Sequence, residues 1–97
     1  MTTVEVRCEP AGTGWRCRVT IADGSGTSAH DVTVALADVR RFAAGTEAAQ
    51  IERLIHDTFD FLLEREPKES ILRQFDLSVV ERYFPEYPRI IHDRRPR

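Results

Sequence analysis

The N-terminal third of the chain alternates. Over residues 3–9, Val4, Val6 and Cys8 fall on one side and Glu5, Arg7 and Glu9 on the other. A period of two with one polar face is the pattern of a half-buried strand. Pro10, Gly12 and Gly14 then punctuate a turn. Alternation resumes over 15–22, with Trp15, Cys17, Val19 and Ile21 opposed to Arg16, Arg18 and Thr20, so the two segments read as an antiparallel hairpin. Asp23-Gly24-Ser25-Gly26 is a second turn, because glycine accepts the positive φ that tight hairpin loops demand. A third strand is expected over 28–36, with Val32, Val34 and Leu36 on its buried face. Three such strands in a row predict a meander with one apolar face, which helices further along must cover.

The period then lengthens. Asp38 is placed to cap a short helix over 39–44, and Gly45 stands where a helix-terminating glycine belongs. Thr46 is expected to cap the main helix, 47–66, and Pro67 to stop it, because the residue before proline avoids the α region. On a helical wheel Phe61, Leu54, Thr58, Ile51, Leu62, Ile55, Phe59 and Leu63 sweep an apolar arc of roughly 200°, where packing on one sheet needs about 100–140°. This helix is therefore expected to be covered on two sides. The second cover is either the C-terminal segment or another protein chain.

Beyond Pro67, Ser70 can cap a single turn that offers Ile71, Leu72 and Phe75. Ser78-Val79-Val80-Glu81 has the form of a capping box, opening a short helix that carries Val79, Val80, Tyr83 and Phe84. Pro85 and Pro88 limit it, and a last turn is expected over 86–91. The fold class that follows is α+β: a three-stranded antiparallel meander (1–36), a main helix preceded by a short one (38–66), and short C-terminal helices with a basic tail (67–97). A chain of 97 residues reads as a single domain, able to bury roughly two thirds of the surface its unfolded form exposes.

The net charge of −2 argues against a general nucleic-acid binder, which would carry a basic stripe. Its distribution is uneven. The segment 47–66 holds six acids against Arg53 and Arg65, while the tail holds Arg89, Arg94, Arg95 and Arg97 against Asp93. Lys68 is the only lysine. With arginine so dominant, bidentate Arg–carboxylate links inside the protein are expected. No apolar run follows a basic start, and none approaches the roughly 18 residues needed to span a bilayer. The chain is thus expected to be cytoplasmic and away from membranes, with Cys8 and Cys17 by default reduced and packed as small apolar groups, although their places on neighbouring strands make a cross-strand disulfide geometrically conceivable.

The stretch Phe61-Leu62-Leu63-Glu64-Arg65-Glu66-Pro67, then Ser70-Ile71-Leu72, Phe75-Asp76-Leu77 and Arg82-Tyr83-Phe84-Pro85-Glu86-Tyr87, resembles a family of short uncharacterised bacterial proteins with an N-terminal hairpin. The resemblance is most specific over 59–87. It implies a self-contained unit from a bacterial cell and carries no activity, ligand or functional residue with it.

Chemistry-bearing clusters are few. Cys8, Cys17 and His30 make at most a loose three-ligand set without the tight spacing of a structural zinc site, so no metal is expected. His56 and Asp60 lie four residues apart and can meet on the helix surface beside Asp57, but no sequence spacing supplies a nucleophile. Glu64, Glu66 and Glu69 surround Arg65 and Lys68, a pattern of internal ion pairs rather than of paired catalytic acids. Phosphate-loop and dinucleotide fingerprints are absent. No cofactor is expected, and the reading leans away from an enzyme.

The cluster that stands out is Arg73, Arg82, Tyr83, Phe84 and Tyr87, since Arg and Tyr are enriched at binding hot spots. The expectation is that Phe84 and part of this segment close over the main helix. Arg73, Arg82, Tyr83 and Tyr87 are the candidate binding residues. The favoured function is a non-catalytic protein-contact or regulatory module, with self-association as one form of it. The alternative is a nucleic-acid accessory role through Arg16, Arg18 and the arginine tail.

Overall fold

The computed structural model describes residues 1–95. Strand β1 (Thr3–Ala11) and strand β2 (Gly14–Asp23) form the expected hairpin, and β3 (Gly26–Val34) completes the meander. The first turn is tight, with Ala11 paired to Gly14 and Gly12 at φ 60°, which glycine adopts without steric cost. Gly14 is required for a different reason: a Cβ there would meet the Val34 carbonyl oxygen at 2.1 Å. In the second turn the Asp23 carboxylate accepts from the Ser25 N–H (2.8 Å) and hydroxyl (2.7 Å).

Helix α1 (Leu36–Phe42) begins two residues after β3, and α2 (Ala48–Leu63) is the main helix. A short 3₁₀ turn spans Lys68–Ser70 and a fourth strand, β4 (Gln74–Asp76), follows. Helices α3 (Ser78–Tyr83) and α4 (Tyr87–Asp93) end the described chain. The sheet order is β1-β2-β3-β4, with β4 parallel to β3. The α+β class and the meander stand as expected. The fourth strand was not expected: 70–75 reads as a helical turn, yet it lies beside β3. A parallel strand of three residues is too short to show a period of its own. Its place is decided by distant partners, the Asp31 N–H bonding the Arg73 carbonyl (2.8 Å) and the Leu77 N–H bonding the Thr33 carbonyl (2.9 Å).

Local boundaries moved for identifiable reasons. Thr46 does not cap α2; Glu47 does, its N–H donating to the Gln50 side chain at 3.0 Å. Asp38 lies inside α1 rather than at its start, buried and paired with Arg41. Ser78 is the first residue of α3, and the capping oxygen comes from Asp76, which accepts from the Ser78 N–H (3.1 Å) and hydroxyl (2.7 Å). Glu81, free of the box, takes Arg41 in a two-pronged pair at 2.8 and 3.1 Å.

The core lies between the inner sheet face and the helices. Cys17, Val19, Ile21, Val32 and Val34 meet Ile51, Ile55 and Phe59 of α2, all essentially without exposure. The other side of α2 is covered by α1 and the C-terminal segment, as its wide apolar arc requires. Phe61 stacks edge-on against both Phe84 and Tyr87, and Phe42 against Tyr87. Thr58 donates its hydroxyl proton to the Leu54 carbonyl at 2.8 Å. That proton is then spent, so the Tyr87 hydroxyl must be the donor in its 2.7 Å bond to Thr58.

One expectation is overturned. Cys8 and Cys17 are joined in a disulfide. They stand directly opposite in the hairpin register. The Cys8 N–H points away from β2, to the Glu52 carboxylate at 2.9 Å, so the pair is a non-hydrogen-bonded one, in which facing side chains approach most closely. The reduced reading rested on an inferred compartment; the register puts the sulfurs together.

Two stability predictions follow from this packing. Tyr87→Phe should cost about 1 kcal/mol for the lost bond to Thr58, and Tyr87→Ala roughly 3–5 kcal/mol for the cavity between α2 and α4. Urea titration with an unchanged m-value measures both, and an alanine variant as mild as the phenylalanine one would refute the packing role. Reducing the disulfide, which spans a sequence separation of 9, should cost roughly 2–3 kcal/mol by chain entropy. Alkylation of the unfolded protein should add mass only after a reductant has been applied.

Candidate binding groove

The predicted site residues do not converge. Tyr87 is buried at 1% exposure, and burial raises its phenol pKa. It belongs to the core and is not among the side chains left outside. Tyr83 is the opposite case at 70% exposure, on the outer side of α3. Arg82 is exposed beside it. Arg73 is exposed too, but it lines a different cleft with Ser28, His30 and Lys68.

What the structure brings together is an apolar groove of about 380 Å³. Its floor is Leu62, Ile71, Phe75 and Val80, and its rim carries Leu72 and Tyr83. Leu72 is 51% exposed. Each wall has a local cause. α2 stops at Leu63, short of the expected end at residue 66, and Pro67 instead precedes the 3₁₀ turn; the Asp76 cap starts α3 immediately after β4, so the strand and helix diverge from one corner. Glu66 and Ser70 are the polar lining residues. The sequence places Leu72 in a helical turn and Tyr83 among the Arg and Tyr candidates of the next helix, so it does not join them into one surface.

The cleft that holds Arg73 is smaller, about 150 Å³, and is closed by hydrogen bonds. The ammonium of Lys68 is buried and bonds Asp23 (2.9 Å), Ser25 (2.7 Å) and Glu69. His30 is buried as well. Its Nδ1 must donate to the Leu72 carbonyl (2.8 Å), which leaves Nε2 to accept from the Ser28 hydroxyl in the neutral ring (2.9 Å). Among the described residues no buried side-chain nitrogen or oxygen lacks a partner. This network ties the second hairpin turn and β3 to the segment that forms the groove's rim.

The remaining clusters are accounted for by pairing. His56 and Asp60 are 3.3 Å apart on α2, and Asp57, the third group within 4.8 Å, is held by Arg53 at 3.0 and 3.1 Å. Both sulfurs of the Cys8, Cys17 and His30 set are consumed by the disulfide. Arg65 pairs with Glu64 and Glu86, and Arg94 with Glu64 at 2.7 Å. On the open sheet face Arg18 is committed to Asp31 and Arg16 lies across from Glu9. Arg97 of the basic tail lies outside the described residues. Among the described residues no helix is long and apolar enough to cross a membrane.

No family model, curated protein or solved structure matches the chain.

The Lys68 network makes the rim sensitive to acid. Hydrogen bonds from Lys68 and Ser25 lower the Asp23 carboxyl to about 2, against an unfolded value near ~3.9. A depressed carboxylate stabilises the fold fully above its unfolded pKa and loses that contribution as pH falls through the folded one. Thermal stability should therefore decline between about pH 5 and pH 2, and Asp23→Asn should flatten that limb while lowering the melting temperature at neutral pH. An unchanged acid limb in the variant would remove Asp23 from the account.

Proposed function

We propose that the protein is a non-catalytic protein-contact module and that it works through the groove between β4, α3 and the end of α2. One observation carries this reading. Among the described residues Leu72 and Tyr83 are the large apolar side chains left exposed apart from Met1, and both stand on the rim of the same groove. A small domain that buries Phe59, Phe61 and Tyr87 this completely gains nothing for its own fold by holding a leucine and a tyrosine in water. Apolar surface rimmed by polar residues is a mark of an interaction site, and a tyrosine with a pocket beside it is the usual form of an anchor.

A photo-cross-linking amino acid at position 83 tests this in cells that make the protein. It should yield a discrete protein adduct, and the same group at Thr20 on the outer sheet face should not. Equal labelling from both positions, or none from position 83, would overturn the reading.

A further inference from the structure

We infer that the partner seated on this groove is a second copy of the chain, paired edge to edge through β4; the inference rests on the groove being a protein-contact site. The two edges of the sheet are treated differently. On β1 the outward-facing N–H of Cys8 is occupied by Glu52 at 2.9 Å and Pro10 has no N–H to offer, so the hairpin end of that edge is closed, while Val4 and Val6, of the same parity, keep theirs. Blocked donors and edge prolines are how proteins prevent strand addition. The edge at β4 has no such guard. The Arg73 carbonyl and the Leu77 N–H turn toward β3. In a parallel ladder the alternate residues, Gln74 and Asp76, must then aim their backbone groups away from the sheet. Among the described residues nothing bonds those groups, and Gln74 is exposed.

Two open residues separated by one are self-complementary under a two-fold axis. With the axis at Phe75, Gln74 of each copy faces Asp76 of the other, and each such pair exchanges both backbone hydrogen bonds in antiparallel register. The side chains agree with this register: an amide stands opposite a carboxylate on the outer face, and no like charges meet. Leu72 and Tyr83 flank the same edge, so each copy's exposed apolar rim is carried toward the other's groove. A register shifted by two residues would set Gln74 against Gln74 or Asp76 against Asp76, and the second of these is repulsive.

Sedimentation of the full chain up to about 1 mM, the range in which weak contacts populate, should show a monomer–dimer equilibrium. Gln74→Glu places a carboxylate opposite Asp76 twice per dimer and should weaken association roughly 2- to 30-fold, while Gln74→Lys should strengthen it by a similar factor. Gln74→Pro removes only an outward N–H and should abolish the dimer, with circular dichroism and melting temperature near those of the wild type. A chain that stays monomeric throughout, or a dimer indifferent to all three substitutions, would overturn the inference. A monomer whose position-83 cross-link joins a different polypeptide would sink self-pairing alone and leave the contact module standing, whereas the absence of any cross-link removes that module itself.

Discussion

Helix α2 has more apolar surface than one sheet can cover, and the rest of the molecule is arranged around that excess. Ile51, Ile55 and Phe59 meet the strands, and Phe61 and Leu62 face away from them. Leaving the second stripe in water would cost on the order of 1.5–3 kcal/mol for each large side chain. The C-terminal third exists in its observed form because it covers this stripe. Tyr87 is the central element of that cover: its ring packs between Phe42 and Phe61, and its hydroxyl closes the hydrogen-bond chain from Leu54 through Thr58.

With α4 and Phe84 packed on α2, the corner between β4 and α3 stays uncovered among the described residues. The groove is what is left. Its position is held by polar contacts rather than by apolar ones. His30 anchors the Leu72 carbonyl, Lys68 ties the second hairpin turn to the 3₁₀ segment, and Asp76 links β4 to β3 through Thr33 at 2.7 Å and to α3 through Ser78. Burial pushes the Asp76 carboxyl up, but the bonds from Ser78 and Thr33 together outweigh it and keep the group ionised. All but the local Asp76–Ser78 bond join parts of the chain that one turn of helix or one hairpin does not connect, so the rim is largely a tertiary construction.

The hairpin end obeys a different logic. There the disulfide and the Glu52 bond to Cys8 secure β1, which has one sheet neighbour and is otherwise held by α2. The Glu52 bond, with Pro10, also blocks strand addition at the hairpin end of that edge. At the far side of the sheet β4 is brief and unguarded.

The meander, α2 and its two-sided cover were legible in the residues, because alternation over 15–22 and the wide arc of 47–66 are local periodic signals that solvent exclusion enforces wherever the chain packs. The glycine turns were legible because glycine accepts backbone angles that other residues avoid, whereas α2 stopped at Leu63, before the proline expected to end it. The rest depended on partners far along the chain. Residues 74–76 became a strand because β3 had unpaired groups to offer. Asp76 rather than Ser78 supplied the cap. Cys8 met Cys17 through hairpin register. Tyr83 and Tyr87, four residues apart with the same side chain, were assigned opposite places by the turn at Pro85. Sequence alone determined which faces must be hidden; only the tertiary structure decided which side chains were left outside once hiding was complete, because that is a property of the whole surface and not of any segment.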